Sequence, residues 1–216
     1  MIRNTTRREA MELLAAGGVA LWTLGARPAL AQASGSVPIA DLMAPGALPD
    51  VWQGDEKAPV TIIEYASMTC PHCAHFHEAS YPVLKEKYID TGKVRFALRE
   101  FPFDPIAVAG FMVARCMNDK RDAMVSLLFA QQKNWAYSDQ PLKGLESLVK
   151  QAGMSSESFK ACLKDQQLYE NVDAVAEGGK KLGVNATPTF FINGNRFAGD
   201  MSPEDLAKEI DALLPK

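Results

Sequence analysis

The sequence predicts an α/β domain carrying an inserted all-helical subdomain, and three observations predict it. A β-branched run, Val60-Thr61-Ile62-Ile63-Glu64-Tyr65-Ala66, leads within a few residues into helical spacing from Ala74 to Tyr88 and then into an alternating run from Lys93 to Phe101. From Pro105 to Gly183 the pattern is helical, with no strand candidate. Strand character returns from Thr187 to Phe197, ahead of a closing helical pattern from Pro203 to Leu214. A length of 216 residues with 47% hydrophobic and 23% charged side chains suits one such domain plus a processed leader.

Residues 1–31 read as a cleaved export signal. Arg3, Arg7 and Arg8 precede an apolar stretch from Leu13 to Leu24 that is too short to span a bilayer stably. Ala29-Leu30-Ala31 offers a small-x-small cleavage pattern, with Ala31-Gln32-Ala33 as a second candidate, so the mature chain is expected to start at Gln32. Thr6-Arg7-Arg8 resembles a twin-arginine signal, while Glu9 and Glu12 beside the pair keep the general secretory route open. A retained membrane anchor is the alternative, and the cleavage pattern argues against it. The whole chain carries 23 Lys and Arg against 26 Asp and Glu, a net of −3. Four basic and two acidic residues leave with the leader, so the mature balance is 19 against 24, a net of −5. A mildly acidic protein without a lysine-arginine cluster is not expected to bind nucleic acid or anionic lipid.

Residues 32–58, rich in proline and glycine, form a loose lead-in with a short edge strand around Leu48 to Gln53. Residues 59–104 hold a strand, a helix and a second strand, a right-handed crossover with a parallel pair. Pro82 falls inside the helix and is expected to kink it, and Gly92 ends it. In residues 105–183 the helical segments are Ile106–Asn118, Arg121–Tyr137, Leu142–Ala152, Ser156–Lys164 and Gln166–Leu182, with Ser155 or Ser156 as a cap. Residues 184–216 give a hairpin turning at Asn193-Gly194 and a final helix capped by Ser202.

The chemistry concentrates in Cys70-Pro71-His72-Cys73. Cys70 sits where the strand gives way to the helix, and Pro71 suits the first helical turn because its missing N–H would have had no intrahelical partner. The Cys70 sulfur then faces unpaired N–H groups at the positive end of the helix dipole, which favours a thiolate, and a protonated His72 would favour it further. Cys73, one turn on, is the resolving thiol. Four cysteines in an exported protein read first as disulfide chemistry.

Glu64-Tyr65-Ala66-Ser67 ahead of Cys70-Pro71-His72-Cys73, the helical insert, and Thr187-Pro188-Thr189-Phe190-Phe191-Ile192-Asn193-Gly194 together resemble the thioredoxin-fold thiol-disulfide oxidoreductases of the DsbA type. The resemblance covers roughly residues 48–214. It implies a thioredoxin fold with the helical insert, and a protein disulfide oxidoreductase of the periplasm that needs no cofactor. It makes Pro188 the cis-proline facing the cysteines, with the Thr187 backbone free to pair with an extended substrate strand. It makes Glu64 the buried acid beneath the disulfide, serving proton transfer for Cys73; the alternative is a strand residue satisfied by a lysine or left exposed. DsbA oxidases often carry valine before that proline, and Thr187 keeps isomerase or reductase activity open. The implied partners are reduced or unfolded exported proteins and a quinone-linked membrane reoxidant, with the protein itself a monomer. A thiolate stabilised by the fold makes the disulfide a strong oxidant, as in DsbA with its cysteine pKa of about 3.5.

Cys116 and Cys162 lack a proline-histidine spacer and a helix start, so they are expected to form a structural disulfide, the alternative being two free buried thiols. A rival from another class is a metal-binding or chaperone module using Cys70, Cys73, His75 and His77. Helical geometry argues against a metal, since His75 and His77 lie about 200° apart around a helix. His75 is expected to face solvent or a groove, and His77 to be partly packed.

Overall fold

The computed structural model describes residues 33–215. The expected leader and the cut before Gln32 lie outside the described residues. In chain order the strands are β1 (Ala33–Ser36), β2 (Trp52–Gln53), β3 (Val60–Ala66), β4 (Val94–Glu100), β5 (Thr189–Ile192) and β6 (Asn195–Ala198). The helices are α1 (Ile39–Leu42), α2 (Pro71–Ala79), α3 (Tyr81–Leu84), α4 (Pro105–Cys116), α5 (Arg121–Ala130), α6 (Gln132–Trp135), α7 (Pro141–Gln151), α8 (Ser156–Leu163), α9 (Gln166–Lys181) and α10 (Pro203–Asp211). A π-helical turn, Lys85–Ile89, continues α3.

One sheet runs in the order β1-β6-β5-β3-β4-β2. All seven positions of β3 are buried, which is what a continuous β-branched run between two neighbours requires. It pairs parallel with β4, Ile62 opposite Phe96, and antiparallel with β5, Ile62 opposite Ile192. Alternation along β3 sends Ile62 into the larger apolar cluster, with Phe76, Phe111 and Phe190, and sends Ile63 and Tyr65 into a smaller one with Phe101, Ala176 and Phe191. Glu64 has the parity of Ile62 and so belongs to the face that carries α2. On the opposite face α9 packs so closely that a Cβ on Gly179 would lie 2.7 Å from the Tyr65 ring. The β5–β6 hairpin turns through Asn193 and Gly194, both at positive φ, and Asn193 Oδ1 accepts the Thr61 backbone N–H at 2.7 Å.

Three expectations change. The lead-in is ordered: it supplies β1 against β6 and β2 against β4, so it forms both sheet edges. Arg99 fixes the stretch between them, donating to both Asp50 carboxylate oxygens at 2.8 Å and to the Leu42 carbonyl at 2.8 Å. Pro82 does not kink one helix but divides two, because α2 ends at Ala79 and Pro82 lies in the first turn of α3, where no N–H is needed. Ser80 at the break donates its hydroxyl to the Met201 carbonyl at 2.7 Å. The expected Arg121–Tyr137 helix breaks at Gln131, where Gln132 and Trp135 turn into the core. Ser155, rather than Ser156, caps α8, accepting the Ser158 N–H, and Ser202 caps α10. Among the described residues no helix is long and apolar enough to cross a membrane.

Candidate active site

Four segments meet at the carboxyl end of β3. Cys70 is the residue before α2, with extended backbone angles, and Pro71 opens the helix. Gln132, from the insert, donates its side-chain amide to the Met68 and Cys70 carbonyls, each at 2.9 Å, and so fixes the turn between strand and helix. Asp104, ahead of Pro105, caps α4 by accepting the Ala107 N–H and takes the Thr69 hydroxyl at 2.5 Å. The Tyr137 hydroxyl donates to the Thr69 carbonyl. The Thr187–Pro188 peptide is cis and closes the fourth side.

Both Cys70 and Cys73 are free thiols in this structure, and their environments differ. Cys70 is partly exposed and Cys73 is 0% exposed. The Cys70 pKa falls from 9.0 to about 5. The largest cause is the hydrogen bond from the Cys73 thiol; burial opposes it, and the Thr187 side chain and the Cys73 and His72 backbone N–H groups add to it. As a thiol, Cys70 Sγ donates to the Thr187 carbonyl at 3.3 Å. As a thiolate it gives up that bond and accepts, and the Thr187 hydroxyl, buried with no partner among the described residues, is then available as a donor. The Cys73 pKa moves the other way, well above 9.0, through burial first, then its bond to Cys70, then the charge of Glu64. His72 is exposed, and its backbone N–H is what reaches the Cys70 sulfur.

Glu64 is 0% exposed. Its partner is neither solvent nor a lysine: Oε2 lies 2.8 Å from Nε2 of His77, whose side chain is 4% exposed. His77 stacks on Phe129 with ring centroids 4.3 Å apart. His75, two residues earlier, is exposed and pairs with Asp200. The two histidines therefore diverge, and among the described residues no group of three or more His, Cys, Asp or Glu is placed to hold a metal ion. Cys116, at the end of α4, and Cys162, in α8, are joined by a disulfide with 6.2 Å between Cα atoms.

A family model described as thioredoxin matches residues 47–212. The α-DsbA1 crystal structure from Wolbachia pipientis superposes with a TM-score of 0.74 at 31% identity, over 80% of this chain and 94% of that one. This chain belongs to the DsbA-type, thioredoxin-fold disulfide oxidoreductases. A protein of Bacillus cereus provisionally named disulfide bond formation protein D is 30% identical over 174 residues, 76% of this chain and 78% of its own length. A Rickettsia typhi protein, provisionally named a protein-disulfide oxidoreductase, is 34% identical over 171 residues; the match spans 76% of this chain but 62% of that relative.

Of the DsbA-type site residues expected from sequence, Cys70, Pro71, His72, Cys73, Thr187 and Pro188 are brought together at the start of α2, with Cys73 and Pro188 buried and Glu64 beneath them. Sequence reasoning missed Gln132, Tyr137, Thr69 and Asp104, and read His77 only as a packed side chain. Asp104-Pro105 was the one legible signal among these, a cap residue followed by proline in the first turn. Tyr137 is 58% exposed and close enough to Cys70 for the thiolate charge to raise its own pKa, after the larger effect of burial.

Proposed function

We propose that this DsbA-type protein is a periplasmic dithiol oxidase that transfers its Cys70–Cys73 disulfide to exported proteins. The observation that carries the reading is the opposite displacement of the two thiols: Cys70 is pushed down to about 5 at an accessible helix start, and Cys73 is pushed up in the interior. A substrate thiolate attacks Cys70 Sγ, the Cys70–Cys73 bond breaks, and its electron pair leaves on Cys73 Sγ, which takes a proton. The substrate's second thiolate then attacks its own sulfur in the mixed disulfide and expels Cys70 as a stable thiolate. The substrate dithiol loses two electrons, and the enzyme disulfide gains them and becomes the dithiol. Pro71 and the His72 N–H hold the start of α2 open towards the Cys70 sulfur. Thr187 and Pro188 present an extended edge to the substrate backbone, and Glu64 serves proton transfer for Cys73. The export signal read in residues 1–31 supports a periplasmic location. A quinone-linked membrane protein would reoxidise the dithiol, and the oxidase would act as a monomer, with Cys116–Cys162 as a structural bridge.

The test is the glutathione redox equilibrium of the metal-free protein, following Cys70 and Cys73. A potential near the DsbA end of the range, about −120 mV, supports the oxidase. A potential near that of thioredoxin, about −270 mV, would refute it and favour the isomerase or reductase reading that Thr187 before Pro188 supports. Protein that purifies with bound metal and an unreactive Cys70 would instead favour the metal-carrier or chaperone reading.

A further inference from the structure

His77 has no part in the chemistry described so far, although it is an ionisable side chain buried beside the thiols. It comes from α2, one turn beyond Cys73, and meets Glu64 of β3 at 2.8 Å. Both side chains are enclosed, at 4% and 0% exposure, and His77 is the cationic partner of Glu64 among the described residues. Each also has an atom with no hydrogen-bond partner among the described residues, Nδ1 of His77 and Oε1 of Glu64. The walls add little charge of their own. Tyr81 of α3 lies 4.9 Å away between ring centroids, and its hydroxyl is committed to Gln53 at 2.5 Å; Phe129 of α5 covers the imidazole, and Asp122 of α5 is joined to Arg121 at 3.0 Å. The remaining titratable neighbour is Cys73, whose thiol feels the charge of Glu64.

A buried carboxyl and imidazole holding one proton between them are net neutral whichever of the two carries it, and neutrality is what a low-dielectric interior favours. We propose that His77 is the positioning residue for proton transfer at this site: it shares one proton with Glu64 across Oε2 and Nε2, and Cys73 receives that proton when its bond to Cys70 breaks. The inference rests on the assignment of Glu64 to proton transfer. The attacking substrate sulfur is oxidised as it bonds to Cys70 Sγ, and Cys73 Sγ is reduced as it leaves with the electron pair. The shared proton then neutralises Cys73, leaving a Glu64 carboxylate and a neutral imidazole that take one proton back from solvent. After the transfer the neutral imidazole, in its Nε2–H tautomer, can still donate to the Glu64 carboxylate over the 2.8 Å contact, a hydrogen bond that a lone buried acid would lack.

The test isolates the step in which Cys73 leaves. Oxidised protein is mixed with a peptide carrying a single cysteine, and mixed-disulfide formation is followed from pH 5 to pH 8 as the rate per peptide thiolate. His77→Gln keeps a hydrogen-bond donor but no transferable proton, so at pH 7 the rate should fall at least about tenfold and its pH profile should change shape. In a Glu64→Gln background the same change should cost less than about twofold more, because His77 acts through Glu64. A His77→Gln profile that overlays the wild-type one while Glu64→Gln is slow would overturn the role of His77 alone. A Glu64→Gln protein as fast as wild type would overturn the Glu64 assignment, and this inference with it. Nitrogen NMR of histidine-labelled wild-type protein avoids any folding defect: the His77 ring shifts should differ between the oxidised and reduced forms, and identical shifts throughout the pH range would overturn the proposal.

Discussion

Ionisation of Cys70 should make the reduced protein more stable than the oxidised one, by an amount that grows with pH. The folded pKa is depressed from 9.0 to about 5, so the contribution is complete above 9, shrinks as pH falls, and is gone below about 5. At pH 7 an unfolded thiol is still protonated, so two pH units at about 1.36 kcal/mol each give an upper figure of about 2.7 kcal/mol. Cys70 is partly exposed, and solvent screening brings the expected gain to roughly 1–2 kcal/mol. For a protein of this size that corresponds to roughly 2–8 °C in Tm. The assay is thermal and urea unfolding of both redox forms at pH 4.5, 6 and 7.5, with the reductant chosen to leave Cys116–Cys162 intact and checked by mass. The disulfide form has no thiol to titrate at this site, so the difference between the two forms isolates the pair. Staying below pH 8 avoids the opposing effect of Cys73, whose raised pKa costs the folded dithiol stability only where an unfolded thiol would ionise. A difference that stays flat across these three pH values would refute the depressed pKa and the oxidase reading built on it.

His72→Ser keeps the backbone N–H and removes the ring, so any rise of the Cys70 pKa, read from the pH dependence of alkylation, measures the imidazole alone; an unchanged profile would remove the ring from the mechanism. Gln132→Ala removes the side-chain donor to the buried Met68 carbonyl and one of the two donors to the Cys70 carbonyl, which keeps the Ala74 N–H, and should cost about 1–3 kcal/mol in urea unfolding. Replacing Cys116 and Cys162 by alanine opens a loop of 46 residues and should lower stability by about 4 kcal/mol or less, while the glutathione equilibrium of Cys70 and Cys73 stays where it was. Glu100→Gln strands Arg115 and Arg121, which Glu100 holds at 2.8 and 3.0 Å, and should cost roughly 3–5 kcal/mol in the same unfolding assay.

How much of this was legible depended on how local the determinants are. Cys70-Pro71-His72-Cys73 is contiguous, and its place at the start of a helix follows from the run before it and the proline within it. The β3–β4 crossover and the Asn193-Gly194 hairpin were legible for the same reason. Glu64 could be placed beneath the thiols only through resemblance, and its partner His77 not at all, because their meeting depends on the parity of a strand and the phase of a helix at once. Gln132 and Tyr137 arrive from the helical insert with no spacing that marks them. Of the lead-in strands, β2 falls within the edge strand expected around Leu48 to Gln53, whereas β1, with four residues, is too short for periodicity to register, so its partner decides it.

The strand β1 pairs with β6, Ala33 opposite Phe197, so the first and last strands in chain order lie side by side in the sheet. That juxtaposition sets a condition on folding in time. A chain made from its amino end emerges with β1 long before β6 exists, and the central strand β3 must likewise wait for β5. The helical insert lies between the partners and can form its own local contacts meanwhile. Completion of the sheet is therefore a late, long-range closure, and folding should be slow for a protein so rich in helix. During that delay β3 has an unpaired edge, and the chain depends on rapid closure or on a protecting partner to avoid pairing with another strand.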